Sequence, residues 1–274
     1  MAKILFPTDF SEASEASFPY ARSFAEFLKR DIELVHYYHP VMNDLSGVDY
    51  NLAKELQDMK TEQMANFASR LDHKDVTVTT TVQVGFPVQT LVERSKEEST
   101  TLIIMSTRGE KNALDRWLGS ISSEVSVKSH CPVILVPPGT TKIGLENVVY
   151  ATSHEALNEK SIRRLQNLIQ QLGAAVHFCY VAPEGAQTDT IKNEIIDILF
   201  ADGEPNFSFS IHLIEDESPV EGINDYVSQN DTDLIIMYNV DRGFWEGILH
   251  RSISKEMSFN SKAPLLIMHS KDHD

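Results

Sequence analysis

The chain has 274 residues, 40 acidic against 24 basic, for a formal net charge of −16 and a pI of about 5.0. Two units with full cores fit that length, and so acidic a surface excludes nucleic acid or an anionic membrane as the main partner, since both need basic patches. The opening MAKILFPTDF lacks the apolar core and cleavage site of a leader, and no run approaches the ~18 apolar residues that span a bilayer, so a cytoplasmic protein is expected.

In chain order, Lys3 to Pro7 predicts a first strand and Thr8-Asp9-Phe10-Ser11 the turn after it. Ser11 is a credible N-cap, with Glu12 and Glu15 in the first turn of the helix that follows. That helix runs through Ala16, Tyr20, Phe24, Phe27 and Leu28, with Pro19 as a kink or a late start. A second strand spans Ile32 to Tyr38, a polar loop follows from Val41 to Asp49, a long helix covers Tyr50 to Leu71, and Val76 to Val84 alternates as a third strand. Gly85-Phe86-Pro87 breaks the chain before a helix from Val88 to Glu97. Leu102 to Met105 is short and unalternating, as a parallel strand buried on both faces should be, and Val133 to Val136 has the same character. Between these two runs, Gly119-Ser120 precedes a helix with a stripe at Ile121, Val125 and Val127. Such alternation implies a doubly wound, parallel α/β sheet with right-handed crossovers.

The second half repeats the first. At an offset of 132, Pro219-Val220 repeats Pro87-Val88, Leu234 to Met237 repeats Leu102 to Met105, Ser252-Ile253-Ser254 matches Ser120-Ile121-Ser122, and Ala263-Pro264-Leu265 matches Cys131-Pro132-Val133. Asn147 to Thr152 parallels Lys3 to Thr8, and Val176 to Tyr180 gives another second strand. Units are expected at 1–138 and 145–270, with a linker near Pro137 to Gly144. Cys131 and Cys179 fall in strand positions of different halves and read as buried free thiols.

In open sheets of this kind ligands collect beyond the carboxyl ends of the strands, where the strand order reverses. Asp9 after the first strand, Tyr37 near the end of the second, and Ser106 to Ser120 after the fourth all converge there. A glycine and a hydroxyl at a helix start suit an anion, because main-chain N–H groups are unpaired there and the dipole presents positive charge. A glycine before a helix is also commonly a plain turn, Asp9 also reads as a turn or cap, and Arg108 and Arg116 also read as solvated side chains. Neither GxxxxGK[ST] nor GxGxxG is present.

The run Ser106-x2-Gly109-x9-Gly119-Ser120 resembles the G-x2-G-x9-G-[ST] motif of ATP-binding universal stress proteins. Ser106 stands where the first glycine is usual, and a positive φ there would be strained for serine. The resemblance implies two tandem doubly wound domains, each with a five-stranded parallel sheet, packed as an intramolecular pseudo-dimer through their last strands, Val133 to Val136 and Leu265 to Met268. It implies ATP with Mg2+ in the first half, with Pro7, Thr8 and Asp9 bordering the adenosine and Tyr37 meeting the adenine edge through its main chain. Gly109, Gly119, Ser120 and Ser122 would hold phosphates beside Arg108, with Met105 and Ile121 completing the set. A stress-response module with an unidentified protein partner follows, and a homodimer of the tandem chain is compatible with it. A scaffold that kept the fold without the nucleotide is the competing class.

The ligand residues do not repeat. Tyr238 replaces Ser106, Asp241 replaces Gly109, Arg251 replaces Gly119 and Ser153 replaces Asp9, so no nucleotide is expected in the second half. Tyr238, Trp245 and Arg251 read as filled core or interface, or as a different pocket. No Ser/His/Asp order, HExxH or CxxC pair stands out. His36 and His39 lack a third ligand for zinc, and His269 and His273 are expected to be solvated in a polar tail. The ATP is therefore expected as a bound signal, with slow hydrolysis at most and no enzyme function.

Overall fold

The computed structural model describes residues 2–39, 50–107, 120–140, 144–152, 159–185, 189–201, 203–239 and 263–269. In the first half, β1 (Lys3–Pro7) leads to α1 (Glu12–Leu28), β2 (Asp31–Tyr38), α2 (Tyr50–Arg70), β3 (Val78–Val84), α3 (Pro87–Arg94), β4 (Thr100–Ser106), α4 (Ser120–Lys128) and β5 (Val133–Val136). The second half contributes β6 (Asn147–Thr152), α5 (Glu159–Leu172), β7 (Ala175–Ala182), α6 (Asp189–Leu199), β8 (Phe209–Glu215), α7 (Pro219–Gln229), β9 (Leu234–Asn239) and β10 (Leu265–His269).

Local chemistry sets the ends of these elements. Ser11 caps α1, its Oγ accepting the Ser14 N–H at 3.2 Å, and Glu12 and Glu15 lie in the first turn as the dipole favours. Pro19 sits inside α1 and does not delay its start. α3 ends at Arg94, short of the expected Glu97, because Ser95 turns its hydroxyl back onto the Val92 carbonyl at 2.7 Å and accepts the His130 N–H at 2.9 Å. β3 starts at Val78, since the Val76 N–H closes a turn onto the His73 carbonyl. Of the expected α4 stripe only Val125 is buried; Val127 stands two residues out of phase and Ile121 lies at the helix end, both exposed.

The strands join into one ten-stranded sheet in the order β3-β2-β1-β4-β5-β10-β9-β6-β7-β8. The neighbouring pairs are parallel except at the centre, where β5 and β10 run antiparallel with Leu135 opposite Leu265 and Ile134 opposite Leu266. The last strands of the two halves thus pair as expected, and each covers the other's open edge. One face of the sheet carries α1, α2, α5 and α6 over a core that runs unbroken from Phe6 and Phe24 to Tyr150 and Phe178. The other face carries α3, α4 and α7 over Leu5, Ile103, Val125 and Ile235. Covered on both faces, the central strands need no polar alternation, and each large side chain removed from water contributes about 1.5–3 kcal/mol. Cys131 and Cys179 are free and buried, as expected.

Candidate functional site

In the first half the strand order reverses between β1 and β4. These strands pair in parallel with Leu5 opposite Ile103, and continuing that register brings Pro7 beside Met105 and Thr8 beside Ser106. Thr8-Asp9 and Ser106-Thr107 therefore leave the sheet side by side, about 4.8 Å apart.

The Thr8–Ser11 turn is built by its own polar groups. Thr8 Oγ1 accepts the Phe10 N–H at 3.0 Å and the Ser14 hydroxyl at 2.9 Å, while Asp9 Oδ1 accepts the Ser11 N–H at 3.1 Å. This forces Phe10 to a φ of 67°, a left-handed conformation that costs a non-glycine residue of order 1 kcal/mol. Contacts hold it there: the Phe10 ring lies 4.2 Å from that of His36, and Lys60 Nζ stands 5.7 Å above it. His36 also fixes the turn from below, donating from Nδ1 to the Thr8 carbonyl at 2.8 Å, which leaves Nε2 without the proton in the neutral ring. Burial pushes the His36 imidazole below its ordinary pKa. His39 packs edge-on against Phe86.

The turn thus gives Asp9 the structural job that its sequence also allowed, with Oδ1 accepting the Ser11 N–H. β2 outruns β1 on this side. The Val35 carbonyl accepts the Thr8 N–H, and by strand parity the main-chain N–H and carbonyl of Tyr37 face the same way, just past the end of β1. The Tyr37 side chain points elsewhere, buried with its hydroxyl accepting from Arg94 Nη1 at 2.9 Å.

On the neighbouring strand, Met105 is buried in the core and Ser106 is the last residue of β4. Ser106 is not among the positive-φ residues, so serine in place of glycine carries no strain of that kind. Thr107, which the motif does not mark, is buried, and its Oγ1 has no hydrogen-bond partner among the described residues. Ser120 opens α4, whose first-turn N–H groups at Ser120, Ile121 and Ser122 have no partner within the helix. The buried Ser122 hydroxyl reaches the Thr107 carbonyl at 3.5 Å, tying the helix start to the strand end. Arg108, Gly109, Arg116 and Gly119 lie outside the described residues, as do Ser153, Asp241, Trp245 and Arg251 of the second half. Tyr238, at the Ser106 position, is buried in the core, as one of its two readings had it.

One expectation is overturned. His269 is not a solvated tail residue: it closes β10, is 4% exposed, and bonds through Nε2 to the Ser126 carbonyl at 2.7 Å.

The order β3-β2-β1-β4-β5, repeated in mirror position by β8-β7-β6-β9-β10, defines a tandem of doubly wound α/β units. A sequence profile described as the Universal stress protein family matches residues 1–137, half of the chain. A universal stress protein of Methanocaldococcus jannaschii is 27% identical over 151 residues, spanning 49% of this chain and 93% of that one. Another from Bacillus subtilis is 24% identical over 144 residues, spanning 49% and 97%. Among solved structures, a universal stress protein from Archaeoglobus fulgidus superposes with a TM-score of 0.74 over 97% of this chain and 96% of its own, at 17% identity, a likeness of fold. The chain belongs to the universal stress protein family. No described helix is long and apolar enough to cross a membrane.

Proposed function

We propose that the first half, residues 1–138, binds an adenine nucleotide at the β1/β4 reversal, and that the chain is a nucleotide-responsive stress-response module in the cytoplasm acting on a protein partner. The second half, 145–270, takes no nucleotide in this reading. The observation that carries it is the convergence, on adjacent strand ends, of a self-bonded Thr8–Ser11 turn and the N-terminus of α4.

The groups present suit the ligand. Main-chain N–H groups at the α4 start and the Thr107 hydroxyl, which has no hydrogen-bond partner among the described residues, are donors of the kind a phosphate requires. The Asp9 carboxylate, which accepts the Ser11 N–H through Oδ1, is an acceptor of the kind a ribose hydroxyl requires. The outward main chain of Tyr37 offers a donor and an acceptor to a base edge. Pro7 and Met105 form the apolar floor from which these groups emerge, and the Ser120 to Ser122 turn faces the phosphate side. Gly109, Gly119 and Arg108 belong to the proposal by their sequence pattern. Bound ATP would bring the triphosphate charge that the helix start attracts. Among the described residues no group of three His, Cys, Asp or Glu is arranged for a metal, so Mg2+ in this reading is held by phosphate oxygens and water.

Calorimetric titration of ATP with Mg2+ into the full chain tests this, after a check for co-purified nucleotide. Gly119→Arg, which copies the second half, should abolish binding, and Asp9→Ala should weaken it about ten- to a hundredfold. Hydrolysis should stay near background. Undiminished binding in Gly119→Arg would remove the site from this loop. No binding in the wild type would leave the scaffold reading. Because β5 and β10 already cover each other, a homodimer of the tandem chain would form through another surface.

A further inference from the structure

The imidazole of His269 crosses the seam between the halves. Its Nε2 lies 2.7 Å from the Ser126 carbonyl of α4, and since a carbonyl only accepts, Nε2 carries the proton. Ser126 lies in the last turn of α4, where helix carbonyls have no partner of their own. The N–H that a longer helix would supply, from His130, is instead bonded to Ser95 Oγ at 2.9 Å. The second half therefore provides a donor that the first half lacks.

That donor is held in place. Arg164 of α5 donates from Nη1 to the His269 carbonyl at 3.0 Å, and in the ladder His269 stands beside Asn239 of β9. α5 and β9 thus hold the main chain of β10 from which the imidazole reaches a helix of the first half. The arrangement is one-way in chemistry, because the residue at the matching offset of 132 in the first half is Pro137, whose side chain has no donor.

We propose that His269 is a positioning residue through which the second half holds α4, and with it the N–H groups of Ser120 to Ser122 that face the ligand of the first half. α4 spans nine residues, so a helix rise of about 1.5 Å per residue makes it a short rigid rod, and a restraint at its last turn is felt at its first. The role in ligand binding rests on the nucleotide reading above. It gives the second half a task that survives the loss of its own ligand residues.

The experiment compares the full-length wild type with His269→Ala and with His269→Gln, whose amide N–H can replace the imidazole donor. Amide hydrogen exchange is read first without nucleotide, then ATP affinity. His269→Ala should speed exchange across α4 while β1 and β2 stay protected, and weaken ATP about two- to tenfold, the worth of one hydrogen bond; His269→Gln should restore both. Unchanged α4 exchange in His269→Ala would overturn the proposal, and so would a glutamine variant no better than alanine. A wild type that takes no ATP defeats the nucleotide reading by itself, and the exchange comparison then decides alone whether His269 holds α4.

Discussion

Glu33 of β2, Thr81 of β3 and Arg94 of α3 have counterparts in His177 of β7, His212 of β8 and Tyr226 of α7. The ladders establish the first two: Lys3 pairs with Asp31 as Asn147 pairs with Ala175, and Val35 pairs with Thr81 as Cys179 pairs with His212; the offset of 132 matches Arg94 to Tyr226. In the first half these positions hold ions. Glu33 Oε2 accepts from Arg94 at 2.7 Å and from Lys3 at 2.8 Å, and Oε1 accepts from Thr81 at 2.6 Å. In the second half they hold neutral groups. Tyr226 OH lies 2.9 Å from His177 Nδ1, Ser210 Oγ lies 2.7 Å from His212 Nε2, and the imidazoles stack 5.5 Å apart. After duplication the apolar layers stayed alike while the polar set beneath α3 and α7 was rebuilt, and the two solutions answer differently to charge and pH.

Removing Arg94 should separate the halves most sharply. Arg94→Ala leaves a nearly buried Glu33 carboxylate with Lys3 and Thr81 alone, and should destabilise the first half by about 2–3 kcal/mol in denaturant unfolding. A loss below about 0.5 kcal/mol would show that the network contributes little.

Acidification should produce the next largest difference, in the opposite half. Burial alone would raise the Glu33 carboxyl, but hydrogen bonds from Lys3, Thr81 and Arg94 and the Arg94 charge outweigh it and hold the pKa at about 2. Its contribution is complete above the ordinary 4.5 and is lost only as pH falls toward 2. Desolvation depresses both His177 and His212, and His212 is depressed further by the charge of its neighbour. Their contribution is complete above the ordinary 6.5 and is lost as pH falls through their lower folded values. From pH 7.5 to 5, protection factors of β7 and β8 amides, corrected for the slower intrinsic exchange at low pH, should fall by at most about tenfold per pH unit for each imidazole, while those of β2 and β3 hold. Equal loss of protection in both halves would break the contrast. Tyr226→Phe, which removes one hydroxyl from the imidazole pair, should have the smallest effect, about 1 kcal/mol in the same unfolding assay.

The fold was legible because buried parallel strands appear as unalternating runs, and because Leu234 to Met237 repeats Leu102 to Met105 without a gap. The central antiparallel pairing was reachable only by resemblance, since no local pattern says which strand edges meet. At the site, the Gly119-Ser120 helix start and the Asp9 turn stand out in sequence. The left-handed Phe10 and the His36 bond to Thr8 do not, because both depend on packing against β2 and α2. The Glu33 network was hidden for a related reason: its partners lie 48 and 61 residues away, and each looks like an ordinary surface residue until the strands pair. His269 was misread because its position near the chain end carries no sign that β10 lies at the centre of the sheet.

In the proposed reading the first half binds one nucleotide and the second half binds none. Native mass spectrometry of the full chain through an ATP series, with Mg2+ present, tests it most directly. A single adduct that saturates at one nucleotide per chain is expected. Saturation at two would contradict it by giving the second half a site, and the absence of any adduct would contradict it by taking the site from the first.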